Sequence, residues 1–295
     1  MKRYFNVPDF VNGQDTYSFF LNLKNRFPYA FYEDYEIMSV FGCFSNCIWN
    51  GGGNYNSPVF ANGPKVKDVI DFYNQELNLP VRFTFTNPIL EEKHYYDTYG
   101  NLIAELGHNG KNEILVSNPG FEEYLRANYP NYKYIKSIIG TKDQPVFLDD
   151  KYYMSVMRRR MNNNWEYLET IPMEKRSKIE FLCTDPCPDN CPRIYTHYQA
   201  HARTQLNFGF PDPNNDCTMN DVKGPFINKY CATLETSISR EQIEKNYIPR
   251  GFNVFKLSGR FNLGAIIMNL TSYLTKPDYK EDVAELLINN LDVRK

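Results

Sequence analysis

The chain carries seven cysteines, five of them between residues 183 and 231. Cys183, Cys187 and Cys191 stand at i, i+4 and i+8 in CTDPCPDNC, after an apolar run and before a helical pattern. Cys217 and Cys231 follow in a stretch rich in Asn, Pro, Asp and Gly. Thiolates that converge tetrahedrally can hold zinc or a [4Fe–4S] cluster, and an irregular segment can bring them together. The spacing does not choose between the two. Zinc ribbons use C-x2-C, and radical S-adenosylmethionine enzymes use C-x3-C-x2-C, whose third cysteine would fall at Ile194. The competing reading is that free cysteines act as small buried hydrophobes. It suits Cys183, inside the apolar FLC. It also suits Cys43 and Cys47, a C-x3-C pair beside a glycine-rich loop, with a role near the site as their alternative. The prolines and polar residues around Cys187 and Cys191 do not read as core.

Downstream, His197 and His201 stand one helical turn apart, with Arg193 one turn before them. Such histidines serve as ligands, as proton carriers, or as ordinary surface or core side chains. Three apolar runs end in a polar pair followed by proline: Thr86-Asn87-Pro88, Ser117-Asn118-Pro119 and Thr184-Asp185-Pro186. Proline ends a strand because it has no N–H to donate to the ladder. The Asn or Asp before it is then expected over the strand ends, against the plainer reading of turn chemistry. Asn50, Asp149, Asp150, Ser258 and Arg260 end other runs in the same way. Gly51 to Gly53 lack the G-x-G-x-x-G pattern but would let a ligand approach the backbone closely. Arg158-Arg159-Arg160 is a local basic patch or, more plainly, a solvated turn. The sequence holds no H-E-x-x-H, no G-x-S-x-G and no phosphate loop.

The elements that must position these residues alternate. Strand-like runs are expected at 36–44, 81–87, 113–118, 133–139, 145–150, 178–185 and 253–259. Helical patterns fall at 65–77, 95–106, 121–128, 165–171 and 191–206, and one opens at Ser239 with Gln242 three residues on, the spacing of a capping box. Two further helices close the chain. Residues 1–30 read as an N-terminal cap with a helix from Thr16 to Phe27. Strand starts roughly 30 to 45 residues apart are the spacing of βα units. Seven strands with an eighth inside 220–238 favour a TIM-like (β/α)8 barrel, incomplete or distorted, over an open doubly wound sheet. With no linker in sight, 1–295 reads as one domain with an irregular insertion at 207–238.

Composition narrows the setting. A net charge of −2 gives no global pull toward nucleic acid or anionic membrane. No apolar run reaches the length of a membrane span, and the start has no apolar leader core. A cytoplasmic protein is expected, in which thiols stay reduced and clustered cysteines point to metal or redox work.

At GFNVFKLSGR, residues 251–260, the sequence resembles the "FKIEGR" strand of the collagenase-like peptidase family, family U thirty-two. The segment from Cys187 through Cys191, Arg193, His197 and Tyr198 resembles that family's cysteine region. The likeness spans about residues 110–290, and Ser258 stands where the family usually has Glu. The resemblance implies a barrel and, as in several members, a [4Fe–4S] cluster, here on Cys187, Cys191, Cys217 and Cys231. It also implies that Lys256 and Arg260 hold an anionic group. The candidate catalytic set is then Asp185, His197, Lys256 and Arg260. The expected activity is redox or hydroxylation chemistry on a small-molecule, RNA or peptide substrate. A peptidase, and a non-catalytic barrel with structural zinc, are the rivals.

Overall fold

The computed structural model describes residues 1–52, 57, 59–139, 144–185, 187, 191–210, 212–213, 234–259 and 262–292. Eight parallel strands close into a barrel in chain order. They are β1 (Arg3–Pro8), β2 (Tyr35–Gly42), β3 (Val81–Phe85), β4 (Glu113–Val116), β5 (Lys133–Lys136), β6 (Met154–Val156), β7 (Ile179–Leu182) and β8 (Val254–Lys256). Among the described residues the helices are α1 (Gln14–Arg26), α2 (Gly63–Asp71), α3 (Glu92–Tyr95), α4 (Thr98–Leu106), α5 (Pro119–Asn128), α6 (Trp165–Leu168), α7 (Met173–Arg176), α8 (Ile194–Leu206), α9 (Arg240–Gln242), α10 (Leu263–Leu274) and α11 (Lys280–Asp292). None is long and apolar enough to cross a membrane.

Two strands differ from the sequence expectation. The barrel is completed by a strand at the chain's start, inside the stretch expected to be a cap; of the expected 220–238, residues 220–233 lie outside the described residues. RYFNVP buries Phe5 and Val7, while Asn6, on the opposite face, is buried as well. A polar residue on an inward face breaks the apolar signal that marks a parallel strand. The run 145–150 is also not a strand. Asp149 makes a turn, its carboxylate accepting the Lys151 N–H at 2.9 Å and its carbonyl the Tyr152 N–H at 3.2 Å. The ladder is joined instead by Met154–Val156, three residues too short to stand out. The capping box is as the sequence predicts: Ser239 Oγ accepts the Gln242 N–H at 3.2 Å and Gln242 Oε1 the Ser239 N–H at 2.7 Å.

The chain falls into two compact units, the first Met1–Val40, Arg159–Asp189 and Met219–Lys295, the second Phe41–Arg158 and Asn190–Thr218. In the first, β8 pairs with β1 through Asn6↔Lys256 and with β7 through Phe181↔Phe255. Phe5, Phe181 and Phe255 turn to the helical side, where Tyr247 lies 4.9 Å from Phe181 and Tyr273 6.0 Å from Phe5 between ring centroids. Alternation along each strand then sends Asn6, Glu180 and Lys256 to the opposite face. In the second unit Phe83 and Phe85 pack with Tyr132, Trp49 and Phe121. Arg82 and Glu113, opposite one another in register, form a fully buried ion pair at 2.6 Å.

Candidate functional site

In a parallel barrel the loops after the strands carry the chemistry, because the C-terminal strand ends all open to one side. The strand ends of the two units are built differently.

In the first unit the polar face of β1, β2, β7 and β8 forms a connected chain. Ser39 Oγ donates to Asn6 Oδ1 at 2.6 Å, and Asn6 Nδ2 donates to Glu180 Oε2 at 2.6 Å. Lys256 Nζ stands 3.8 Å from Glu180 Oε1. The carboxylate is fully buried, and its cation sits at the edge with 12% of its side chain exposed. One layer further along the strands, Thr184 Oγ1 accepts from the Ser258 N–H at 2.8 Å, and the Ser258 hydroxyl lies 3.0 Å from it. Asp185 then faces Arg159, Oδ2 to Nε 3.9 Å, and its Oδ1 accepts the Cys187 N–H at 2.9 Å. Arg159 Nη1 donates to Thr236 Oγ1 at 2.7 Å.

Of the residues expected at the site, Asp185 and Lys256 lie at these strand ends; Glu180 and Asn6 are not among the expected residues, and Arg159 reads only as part of a basic run. One charged residue in each of the otherwise apolar runs IEFL and VFKL, Glu180 and Lys256, was the signal for an inward polar face. The basic run is not simply a solvated turn. Arg158 and Arg159 are buried, and only Arg160 is exposed. Arg260, Cys217 and Cys231 lie outside the described residues.

The five described cysteines divide sharply. Cys43, Cys47 and Cys183 are fully buried, while Cys187 and Cys191 are half-buried. Burial pushes the Cys183 thiol well above its ordinary range, and burial with the neighbouring Cys43 thiol does the same for Cys47. Thiols held protonated in this way are poor ligands and nucleophiles. Cys183 is a ladder residue, its N–H donating to the Lys256 carbonyl at 2.9 Å. Among the described residues no three His, Cys, Asp or Glu side chains gather into a metal-holding group.

In the second unit the polar residues at the ends of β3 and β4 do not point at an open site. Asn87 is fully buried, donating to the Ile48 carbonyl at 2.8 Å and reaching the Ala202 carbonyl at 3.4 Å. Asn118 caps α5, accepting the Phe121 N–H at 3.0 Å, and donates to the Leu90 carbonyl at 2.9 Å. Gly51 is needed by the chain itself. A Cβ there would lie 2.4 Å from the Thr86 carbonyl. His197 and His201 lie on α8 with ring centroids 4.2 Å apart. At the start of that helix the Tyr195 hydroxyl accepts a short hydrogen bond from Arg158, which also donates to the Gln144 carbonyl at 3.2 Å.

The sequence matches no model of a known protein family, and no characterised protein matches it.

Proposed function

We propose that the chain is an iron–sulfur-binding barrel enzyme of redox or hydroxylation type, acting on a carboxylate- or nucleotide-bearing substrate. The reading follows the likeness to the collagenase-like peptidase family. The observation that carries it is the division of the cysteines. Of the five described cysteines, the two that stay out of the core are those of the C187-PDN-C191 segment, and Cys187 follows directly on the strand end where Asp185 meets Arg159. Accessible thiols with polar neighbours fit a cluster's donor set, whereas buried thiols with raised pKa do not. Cys187 and Cys191 supply two of the donors, and Cys217 and Cys231 are proposed for the others. A bound cluster supplies one-electron transfer.

The protein's own part is to bind and orient. Lys256 and Arg159 offer positive charge at the ends of the polar face, and guanidinium pairs well with carboxylate or phosphate oxygens. Arg260 is proposed to join them. The buried Glu180 fixes the position of Lys256, and Asn6 and Ser39 fix Glu180 in turn. Asp185 and His197 are the proposed proton carriers, the first held by Arg159 and the Cys187 N–H.

Anaerobic purification with iron and sulfide determination tests the reading. A brown protein with about four irons per chain, lost in Cys187→Ser and Cys191→Ser, is expected. A colourless, iron-free protein would exclude it. Stoichiometric zinc whose chelation unfolds the chain would replace it with the structural-zinc reading.

A further inference from the structure

We propose that the Ser258 hydroxyl is a ligand-binding donor at the ends of β7 and β8, and that with Lys256 it takes an oxyanion, a carboxylate or phosphate oxygen. The role of Ser258 rests on the reading that Lys256 holds an anionic group, and it adds a second contact to the same ligand. Ser258 lies two residues past Lys256. Between them the ladder continues, the Leu257 N–H donating to the Asn6 carbonyl at 3.0 Å. Alternation therefore turns Lys256 and Ser258 to one face. The next rung of a parallel ladder would send the Ser258 N–H to the Cys183 carbonyl. That carbonyl accepts the Ile238 N–H instead, at 3.2 Å. The Ser258 N–H goes to Thr184 Oγ1 at 2.8 Å, and the Ser258 carbonyl accepts from Asn269 Nδ2 of α10 at 2.8 Å. The backbone of Ser258 is thus held from both sides by side chains.

The proton count of the two hydroxyls points to a ligand. Thr184 Oγ1 and Ser258 Oγ stand 3.0 Å apart, so one proton lies between them. A hydroxyl has one proton to give and two lone pairs to receive. If Ser258 supplied that proton, Thr184 Oγ1 would accept twice and its own proton would need another acceptor. Thr184 is only 7% exposed, and among the described residues it bonds to Ser258 alone. A buried donor left unmet is costly, so Thr184 donates to Ser258 and the Ser258 proton stays free. Ser258 is half-buried, and Leu182 and Lys256 on the same strand ends also reach solvent. The carboxylates nearby are engaged, Glu180 by Asn6 and Asp185 by the Cys187 N–H beside Arg159. Lys256 and Ser258 therefore offer an ammonium and a hydroxyl, donors both. The atom that suits them only accepts and carries negative charge, as a carboxylate or phosphate oxygen does.

Calorimetric titration of the full chain with inorganic phosphate and, separately, with acetate tests the proposal, with iron determined on the same samples. Saturable binding of one or both is expected, and which of them binds tells a phosphoryl from a carboxylate ligand. Ser258→Ala removes the hydroxyl and keeps both main-chain bonds. It should weaken binding by more than about tenfold. Thr184→Val should weaken binding as well, and Thr184→Ser, which keeps the proton donor, should restore it. Should Ser258→Ala fail to fold, the two Thr184 variants carry the same comparison. Binding unchanged in Ser258→Ala but lost in Lys256→Met would overturn the role of Ser258 and leave Lys256 as the anion's partner. Binding indifferent to both replacements, or no binding of either anion, would overturn both roles. An iron-free protein that binds through Ser258 would support the anion site and exclude the cluster.

Discussion

Two strand ends that look alike in sequence have opposite fates. Thr86-Asn87-Pro88 after β3 and Thr184-Asp185-Pro186 after β7 share a pattern of hydroxyl, short polar side chain and proline. Asn87 is buried and bonded to two backbone carbonyls, so its amide holds loops together. Asp185 keeps 21% of its side chain exposed and faces a cation at 3.9 Å, too long for a well-made ion pair. The lesson is that proline-terminated strand ends say where a polar residue sits but not whether its bonding capacity is already used. An amide can satisfy carbonyls and cap a helix. A carboxylate cannot donate to a carbonyl, so it looks for a cation or a backbone N–H.

The largest test of this contrast lies one layer deeper. Glu113→Gln leaves Arg82 charged and buried beside β3 and should cost about 3–5 kcal/mol in chemical denaturation. Lys256→Met beside β7 removes a cation at the edge of its polar face. It should cost less than Glu113→Gln, because a lone buried Glu180 can take up a proton whereas a lone buried Arg82 cannot lose one, while abolishing binding of a carboxylate-bearing ligand. Equal losses for the two variants would show that the β7–β8 layer is as structural as the β3–β4 layer.

Replacing the strand-end residues themselves should give a smaller split. Asn87→Ala strands the Ile48 and Ala202 carbonyls and should cost about 1–3 kcal/mol. Asn118→Ala removes the cap of α5, at about 0.5–2 kcal/mol. Asp185→Asn keeps the acceptor for the Cys187 N–H and loosens only a long, partly exposed ion pair. Its thermal stability should stay within about 1 kcal/mol of wild type. A large loss in Asp185→Asn would move that residue from the site to the scaffold.

The barrel was legible because its strands recur at βα spacing and its helices carry their own start signals, as Ser239 and Gln242 do. What escaped was whatever departs from an apolar strand. β1 carries Asn6 inward, and β6 is three residues long. The same property hid half of the candidate site. Glu180 sits in a run that reads as core, and only the closure of the barrel brings it onto one polar face with Lys256, which the sequence had already singled out. Arg159 belongs to a basic run whose burial depends on Asp185 and Thr236, partners distant in sequence. The glycines at 51 to 53 suggested room for a ligand, but at Gly51 close approach of the chain to itself leaves the same trace, and Gly53 lies outside the described residues.

The smallest expected effect compares two acids as the pH falls. In the second unit burial pushes the Glu122 carboxyl up. The Lys136 ammonium beside it, with hydrogen bonds from Lys136, Tyr152 and Arg126, outweighs burial and holds it below its usual range. In the first unit burial likewise opposes, and the hydrogen bonds from Arg3 and Tyr35 likewise prevail, at Glu244. A carboxyl depressed in the folded state contributes stability above its unfolded pKa, and that contribution is lost as the pH falls through the folded value. Lys136→Met should bring the Glu122 carboxyl back toward its ordinary value and flatten the stability profile between about pH 5 and pH 3 by on the order of 1 kcal/mol. Arg3→Met should flatten it less. Glu244 is 36% exposed, so water and salt already screen its pair. Denaturant midpoints measured across that range at low and high salt read both effects. A larger, salt-sensitive change in Arg3→Met than in Lys136→Met would reverse the ranking and place the stronger buried electrostatics in the first unit.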